Sequence, residues 1–229
     1  MLWITGDLHG RRENWETRVA PVLRPGDTLI VTGDFGVGFW EDETAFYDAL
    51  AEQPFTVLFL DGNHENFAQL NAYPTDRWNG GQVHRLRHNL LHLMRGELYT
   101  VAGRSCFVFG GGASADRFRR SEADGSWWPE ELPSLAEYEN GRRNLQAAGW
   151  QADLILTHTA PAKTVSYLAS LRNLGLKESP TAEIELTEYL ETLRQSVRYQ
   201  RWYFGHFHAD RALWYGQTLV YRSMLAQPL

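Results

Sequence analysis

The sequence predicts an α/β fold in a single domain spanning residues 1–229, and two observations carry that prediction. Short apolar, β-branched runs recur along the chain, each ending in a cluster of Gly, Asp, His or Asn, as buried strands bounded by turn residues do. Between these runs lie stretches whose apolar residues repeat at helical spacing. Strand then helix, repeated, implies right-handed crossovers with helices on the sheet faces.

Taken in order, Leu2 to Thr5 and Thr28 to Thr32 read as strands. A helix follows over Glu41 to Gln53, with Phe46, Ala49 and Leu50 on one face, then a strand over Thr56 to Leu60 and a short helix over Asn66 to Ala72. From Gln82 to Gly110 the pattern changes to four short strands, at Val83 to Leu86, Leu90 to Met94, Glu97 to Val101 and Ser105 to Phe109. Gly and Asn separate them, as in an antiparallel meander. The stretch from about 110 to 133 is irregular, polar and aromatic, the composition of a functional loop or small cap. A helix over Ser134 to Ala148, a strand over Asp153 to Thr157 and a helix over Glu183 to Arg198 come next, the last with Leu186, Tyr189, Leu190 and Leu193 on one face. A strand over Arg201 to Phe204 precedes a hairpin of Arg211 to Trp214 and Thr218 to Arg222 around Tyr215-Gly216-Gln217.

Composition bounds the function. Hydrophobic residues at 43% and charged residues at 22% suit a self-folding globular chain. A net charge of −6 argues against bulk nucleic-acid binding, which needs phosphate neutralisation. There is neither a basic leader nor an apolar run long enough to span a bilayer, and the expectation is a soluble cytoplasmic protein with no membrane association. The one cysteine, Cys106, sits in an apolar run and reads as a small buried hydrophobe.

Five polar clusters stand where strands end: Asp7-Leu8-His9, Gly33-Asp34, Gly62-Asn63-His64-Glu65, Thr157-His158 and Gly205-His206-Phe207-His208. In open α/β sheets the ligand site forms beyond the carboxyl ends of the strands, so these clusters converge there. Asp, His and Asn without thiolate suit divalent ions such as manganese, iron, zinc, nickel or magnesium. Asp7 and His9, two apart on a segment read as extended, point the same way, as do His206 and His208. Asp7, His9, Asp34, Asn63, His158, His206 and His208 are seven candidate ligands, too many for one ion that keeps a water. Two ions sharing a carboxylate account for all of them. Each cluster alone is more often a turn or a helix cap; the ordered set of five is what points to chemistry.

That order resembles the calcineurin-like metallophosphoesterase family from Asp7 to His208. The resemblance implies a four-layer αββα sandwich of two mixed sheets flanked by helices, with a dinuclear centre at the strand ends. It implies Asp7, His9 and His208 on one ion, Asn63, His158 and His206 on the other, Asp34 bridging, and His64 near the phosphate as proton donor. The activity implied is phosphoester hydrolysis by in-line attack of a metal-bound hydroxide, two cations clamping the attacking and leaving oxygens. Manganese is the expected metal.

Gly-Asn-His-Glu also resembles the serine/threonine phosphoprotein phosphatases, but their Val-Asp-Arg-Gly is replaced here by Phe35-Gly36-Val37-Gly38. Phosphate contacts are therefore sought in Arg11 and Arg12, which follow the first motif, and in Arg117, Arg119 and Arg120 of the irregular loop, whose guanidinium forks suit phosphate oxygens. Phe39, Trp40, Trp127 and Trp128 are candidate walls for a nucleobase, or anchors for their loops. The expected substrate is a small phosphodiester or nucleotide; a phosphoprotein phosphatase, a nuclease and a non-catalytic metal-binding scaffold are the alternatives. His84, His88 and His92, four apart, are expected as solvated or edge histidines on hairpins.

Overall fold

A computed structural model describes residues 1–123, 125–171 and 181–227. Thirteen strands among these form two sheets. The first has the order β13-β1-β2-β3-β6-β5-β4 and the second β11-β12-β10-β9-β8-β7. In the first sheet, β1 (Leu2–Thr5), β2 (Thr28–Thr32) and β3 (Thr56–Leu60) run parallel, followed by β6 (Leu90–Leu93), with β5 (Gly81–Arg87) and β4 (Thr75–Trp78) antiparallel beyond it. In the second, β8 (Arg104–Phe109), β9 (Leu154–Thr157), β10 (Arg201–Phe204) and β12 (Gln217–Leu219) are parallel, edged by β7 (Leu98–Val101) and β11 (Arg211–Ala212). Strand β13 (Leu225–Gln227) returns to the first sheet and pairs antiparallel with β1.

The period of two in the apolar runs decides how the layers stack. Ile4, Ile30, Leu58 and Leu60 of the first sheet meet Cys106, Val108, Leu154, Leu156 and Tyr203 of the second in one buried cluster between the sheets. The alternate residues face outward. Beyond the short α1 (Arg12–Asn14), Leu29, Val31, Val57 and Phe59 pack with Phe46, Tyr47 and Leu50 of α2 (Glu43–Ala51) and with Phe67 and Leu70 of α3 (Phe67–Leu70). Phe107, Phe109, Ile155, Trp202 and Phe204 pack with α4 (Leu135–Ala147), α5 (Ala162–Ser170) and α6 (Ile184–Ser196). The result is the four-layer αββα sandwich.

Two expectations change. The run read as one antiparallel meander is divided: β5 and β6 join the first sheet, while β7 and β8 form a hairpin of the second. His84 and His92 are not solvated. They lie opposite each other in the β5–β6 ladder, buried, with Nδ1 atoms 3.0 Å apart, and only His88 is exposed. Cys106 is buried, as expected, and burial pushes its thiol up to about 12.

Candidate metal centre

The loops after β1, β2 and β3 carry Asp7, His9, Asp34 and Asn63, and the loops after β9 and β10 carry His158, His206 and His208. The segments are not extended there. Asp7, His9, Asp34, His206 and His208 all have left-handed backbones, with φ of 37°, 55°, 52°, 68° and 49°. Such conformations cost non-glycine residues roughly 1 kcal/mol or more each and cluster at functional sites. They turn side chains of neighbouring loops towards one point, which a continued strand would carry past it. Gly33, at φ 89°, lets His158 approach: a Cβ there would stand 2.1 Å from its Nδ1.

One group of side chains comprises Asp7, His9, Asp34 and His208, whose ligand atoms all lie within 4.8 Å of one another. His9 Nε2 is 2.9 Å from His208 Nε2, and His9 Nδ1 is 3.4 Å from Asp34 Oδ2. Asp7 is fully buried, and its Oδ2 has no hydrogen-bond partner among the described residues. A buried carboxylate oxygen left this way calls for a cation.

The other group is read from its hydrogens. His158 Nδ1 faces the Thr32 carbonyl at 2.9 Å and must donate to it, so Nε2 keeps a lone pair. The Asn63 amide nitrogen donates to Ser114 Oγ at 3.1 Å, while that hydroxyl donates to Glu131 at 2.8 Å. Asn63 Oδ1 is thereby turned towards His158 Nε2, 3.0 Å away, with Asp34 Oδ1 3.3 Å from the same nitrogen. Three acceptors converge with no proton between them, an arrangement that fits a cation. Asp34 presents Oδ1 to this group and Oδ2 to the other. His206 lies against His158 with ring centroids 4.9 Å apart.

The electrostatics agree. Burial pushes Asp7 well above the usual carboxylate range, reinforced by the Asp34 charge. Burial also disfavours the Asp34 anion, yet His158, His64 and His9 outweigh it and hold that group well below its ordinary value. Burial depresses His9 and His158 to about 4, which keeps both imidazoles neutral and able to ligate at neutral pH.

A family model described as calcineurin-like phosphoesterase matches residues 1–210. The chain belongs to the calcineurin-like phosphoesterase family. No curated protein matches it significantly. Membership of this family brings metal-dependent phosphoester hydrolysis in general, and the Asp/His cluster supplies a place for the metal.

Beside the cluster opens a cleft of about 830 Å³. Arg11 and His64 line it, together with Arg120, Arg222, Phe39 and Tyr221. Arg12, Arg117, Arg119 and Trp127 do not. The Arg12 guanidinium lies 4.3 Å over Phe46, that of Arg117 lies 4.4 Å over Trp127, and that of Arg119 lies 5.1 Å over Phe118. Trp40 and Trp128 are buried in the core under the first sheet. Arg120 Nη1 is 3.2 Å from His64 Nδ1 and its Nε is 2.9 Å from Asp116. Guanidinium can only donate, so His64 accepts at Nδ1 and carries its proton on Nε2.

Sequence reasoning did not find the supports of the site. Glu65 accepts the backbone N–H groups of Phe35, Gly36 and Val37 at 2.9, 2.9 and 2.7 Å. Asp210 does the same for Tyr221, Arg222 and Ser223 at 2.9, 3.1 and 3.1 Å, setting the cleft wall. Ser114, Glu131 and Glu183 belong to no motif. Glu65 alone had a signal, since it closes Gly-Asn-His-Glu.

Proposed function

We propose that the chain is a dinuclear phosphoesterase acting on small phosphate esters, with phosphodiesters and nucleotides foremost. The observation that supports this reading best is Asp34, whose two carboxylate oxygens face two separate sets of ligand atoms. We assign Asp7, His9, Asp34 and His208 to one ion and Asn63, His158, His206 and Asp34 to the other, with manganese the first choice. When bound, such ions neutralise phosphate charge and activate water.

The chain's own residues do the rest. His64, with its proton on Nε2, is the donor to the leaving oxygen. Arg120 sets that tautomer and, with Arg11 and Arg222, presents cations to the phosphate. Arg12, Arg117 and Arg119, paired with rings, add positive potential from further out, and Trp127 holds Arg117. Phe39 and Tyr221 give the cleft two aromatic surfaces, which supports a nucleoside or other ring on the substrate. The net charge of −6 weighs against a polynucleotide substrate. Residues 1–229 are read as one domain with an irregular loop or small cap at about 110–133. Among the described residues no helix is long and apolar enough to cross a membrane; a cytoplasmic setting is supported by the single, buried Cys106 thiol.

The test is hydrolysis of a paired chromogenic phosphomonoester and phosphodiester by metal-stripped protein, before and after Mn²⁺, with Asp34→Asn beside it. Metal-restored cleavage absent from Asp34→Asn is expected, and the preferred ester defines the substrate class. Two bound ions with no cleavage of either ester would favour the scaffold reading.

A further inference from the structure

We propose that Glu183 is a positioning residue for the Asn63/His158/His206 half of the centre: its carboxylate takes the Nε2–H of His206, leaving Nδ1 of that ring as the ligating nitrogen. The inference rests on the dinuclear reading above. Glu183 is fully buried despite being an acid, and its Oε1 faces His206 Nε2 at 3.5 Å, an ion-pair separation that a shift of about half an ångström closes to a hydrogen bond. It stands among the ligands of this half. A Cβ built on Gly112 would lie 3.0 Å from His158 Cδ2, 3.4 Å from Asn63 Oδ1 and 3.4 Å from Glu183 Oε1, so these side chains crowd around one notch.

The position of Glu183 is firmly held. It ends the 3₁₀ turn Thr181–Glu183 and leads directly into α6. That helix is clamped to the outer face of the second sheet by Leu186, Leu190 and Leu193. His206 is constrained from the other side, because its backbone N–H donates to Asp7 Oδ1 at 3.0 Å. An imidazole has two nitrogens, and with Nδ1 given to the ion the His206 proton sits on Nε2, the nitrogen that faces Glu183 Oε1. His158 follows the same logic with a different support, giving its Nδ1–H to the Thr32 carbonyl and ligating through Nε2. A ligating histidine whose second N–H is held by a carboxylate has a fixed tautomer and a more basic ligand nitrogen, and loss of that partner costs roughly 10–100-fold in metal affinity.

The experiment uses the full chain with ¹⁵N-labelled histidine rings, titrated with Zn²⁺ by calorimetry and followed by long-range ¹H–¹⁵N correlation. The wild type should take up two ions, with His206 protonated at Nε2 and ligated at Nδ1. In Glu183→Ala one ion should bind about 10–100-fold more weakly while the other keeps its affinity. Glu183→Gln preserves the side-chain volume, carries the comparison if the alanine variant does not fold, and should weaken the same ion about tenfold. Wild-type affinity for both ions in these variants, or a His206 proton on Nδ1 in the loaded protein, overturns the proposal. A wild type that binds fewer than two ions overturns the dinuclear reading beneath it, and is recognised without any variant.

Discussion

At Asn63 a single amide must present oxygen and not nitrogen to the proposed ligand point, and the choice is made by Ser114 and Glu131, 51 and 68 residues onward. His64, the next residue, is held in one tautomer by Arg120. The convergence of the proposed ligands was legible in the sequence, because clusters of Asp, His and Asn stand where strands end. That of their supports was not, because Ser114, Glu131, Arg120 and Glu183 have no periodicity or spacing that ties them to the ligands. His64→Ala is expected to lower turnover by roughly 10²–10⁴, the usual worth of a positioned acid, with metal content unchanged. Elemental analysis showing a lost ion would remove His64 from that role. Arg120→Ala should raise KM by roughly tenfold or more, as loss of a charged hydrogen bond does, and lower kcat through His64. Arg117→Ala should leave KM within about twofold, since its guanidinium is already occupied by Trp127; the reverse ranking in steady-state kinetics would exchange their places.

Strands and helices were legible where the apolar period was clear. Ser134 caps α4 through a reciprocal capping box with Glu137, and the sequence reading placed that helix start at Ser134. Sheet membership was less visible, because a hairpin has the same turn chemistry whichever sheet receives it. The β5–β6 ladder shows what was lost: it sets His84 and His92 side by side, and His92 Nε2 reaches Asp61 at 3.0 Å, which Arg95 also grips at 2.8 Å. Burial first, then the neighbouring His92, depresses His84 to about 4 from an ordinary 6.5. The unfolded chain therefore takes up a proton between those values while the native ring does not. Stability from this group is complete above about pH 6.5 and is lost as pH falls towards 4. His9 and His158, also near 4, act in the same direction. Thermal melting of His84→Asn should show a shallower acid limb across that window; a limb as steep as wild type would place the acid sensitivity elsewhere.

Across the molecule, the proposed ligand set straddles both sheets. Asp7, His9, Asp34 and Asn63 follow strands of the first sheet, and His158, His206 and His208 follow strands of the second. A cation bound there links the two halves of the sandwich and binds only the folded form. At a hundredfold excess over Kd it should add about 2.7 kcal/mol, which for a chain of this size raises Tm by roughly 5–10 °C. Melting with Mn²⁺ against chelator should show that shift in the wild type and lose most of it in Asp34→Asn; equal melting temperatures with and without metal would mean that the cation does not join the sheets. The division of ligands also gives synthesis an order. Asp7, His9 and Asp34 leave the ribosome well before His208, which lies 174 residues beyond Asp34. A nascent chain that has made only β1 to β6 offers three of the four groups of one half and lacks both histidines of the other. Metal capture is thus deferred until β10 and the loop after it have emerged, and the proposed ligand set is complete only as the sandwich closes.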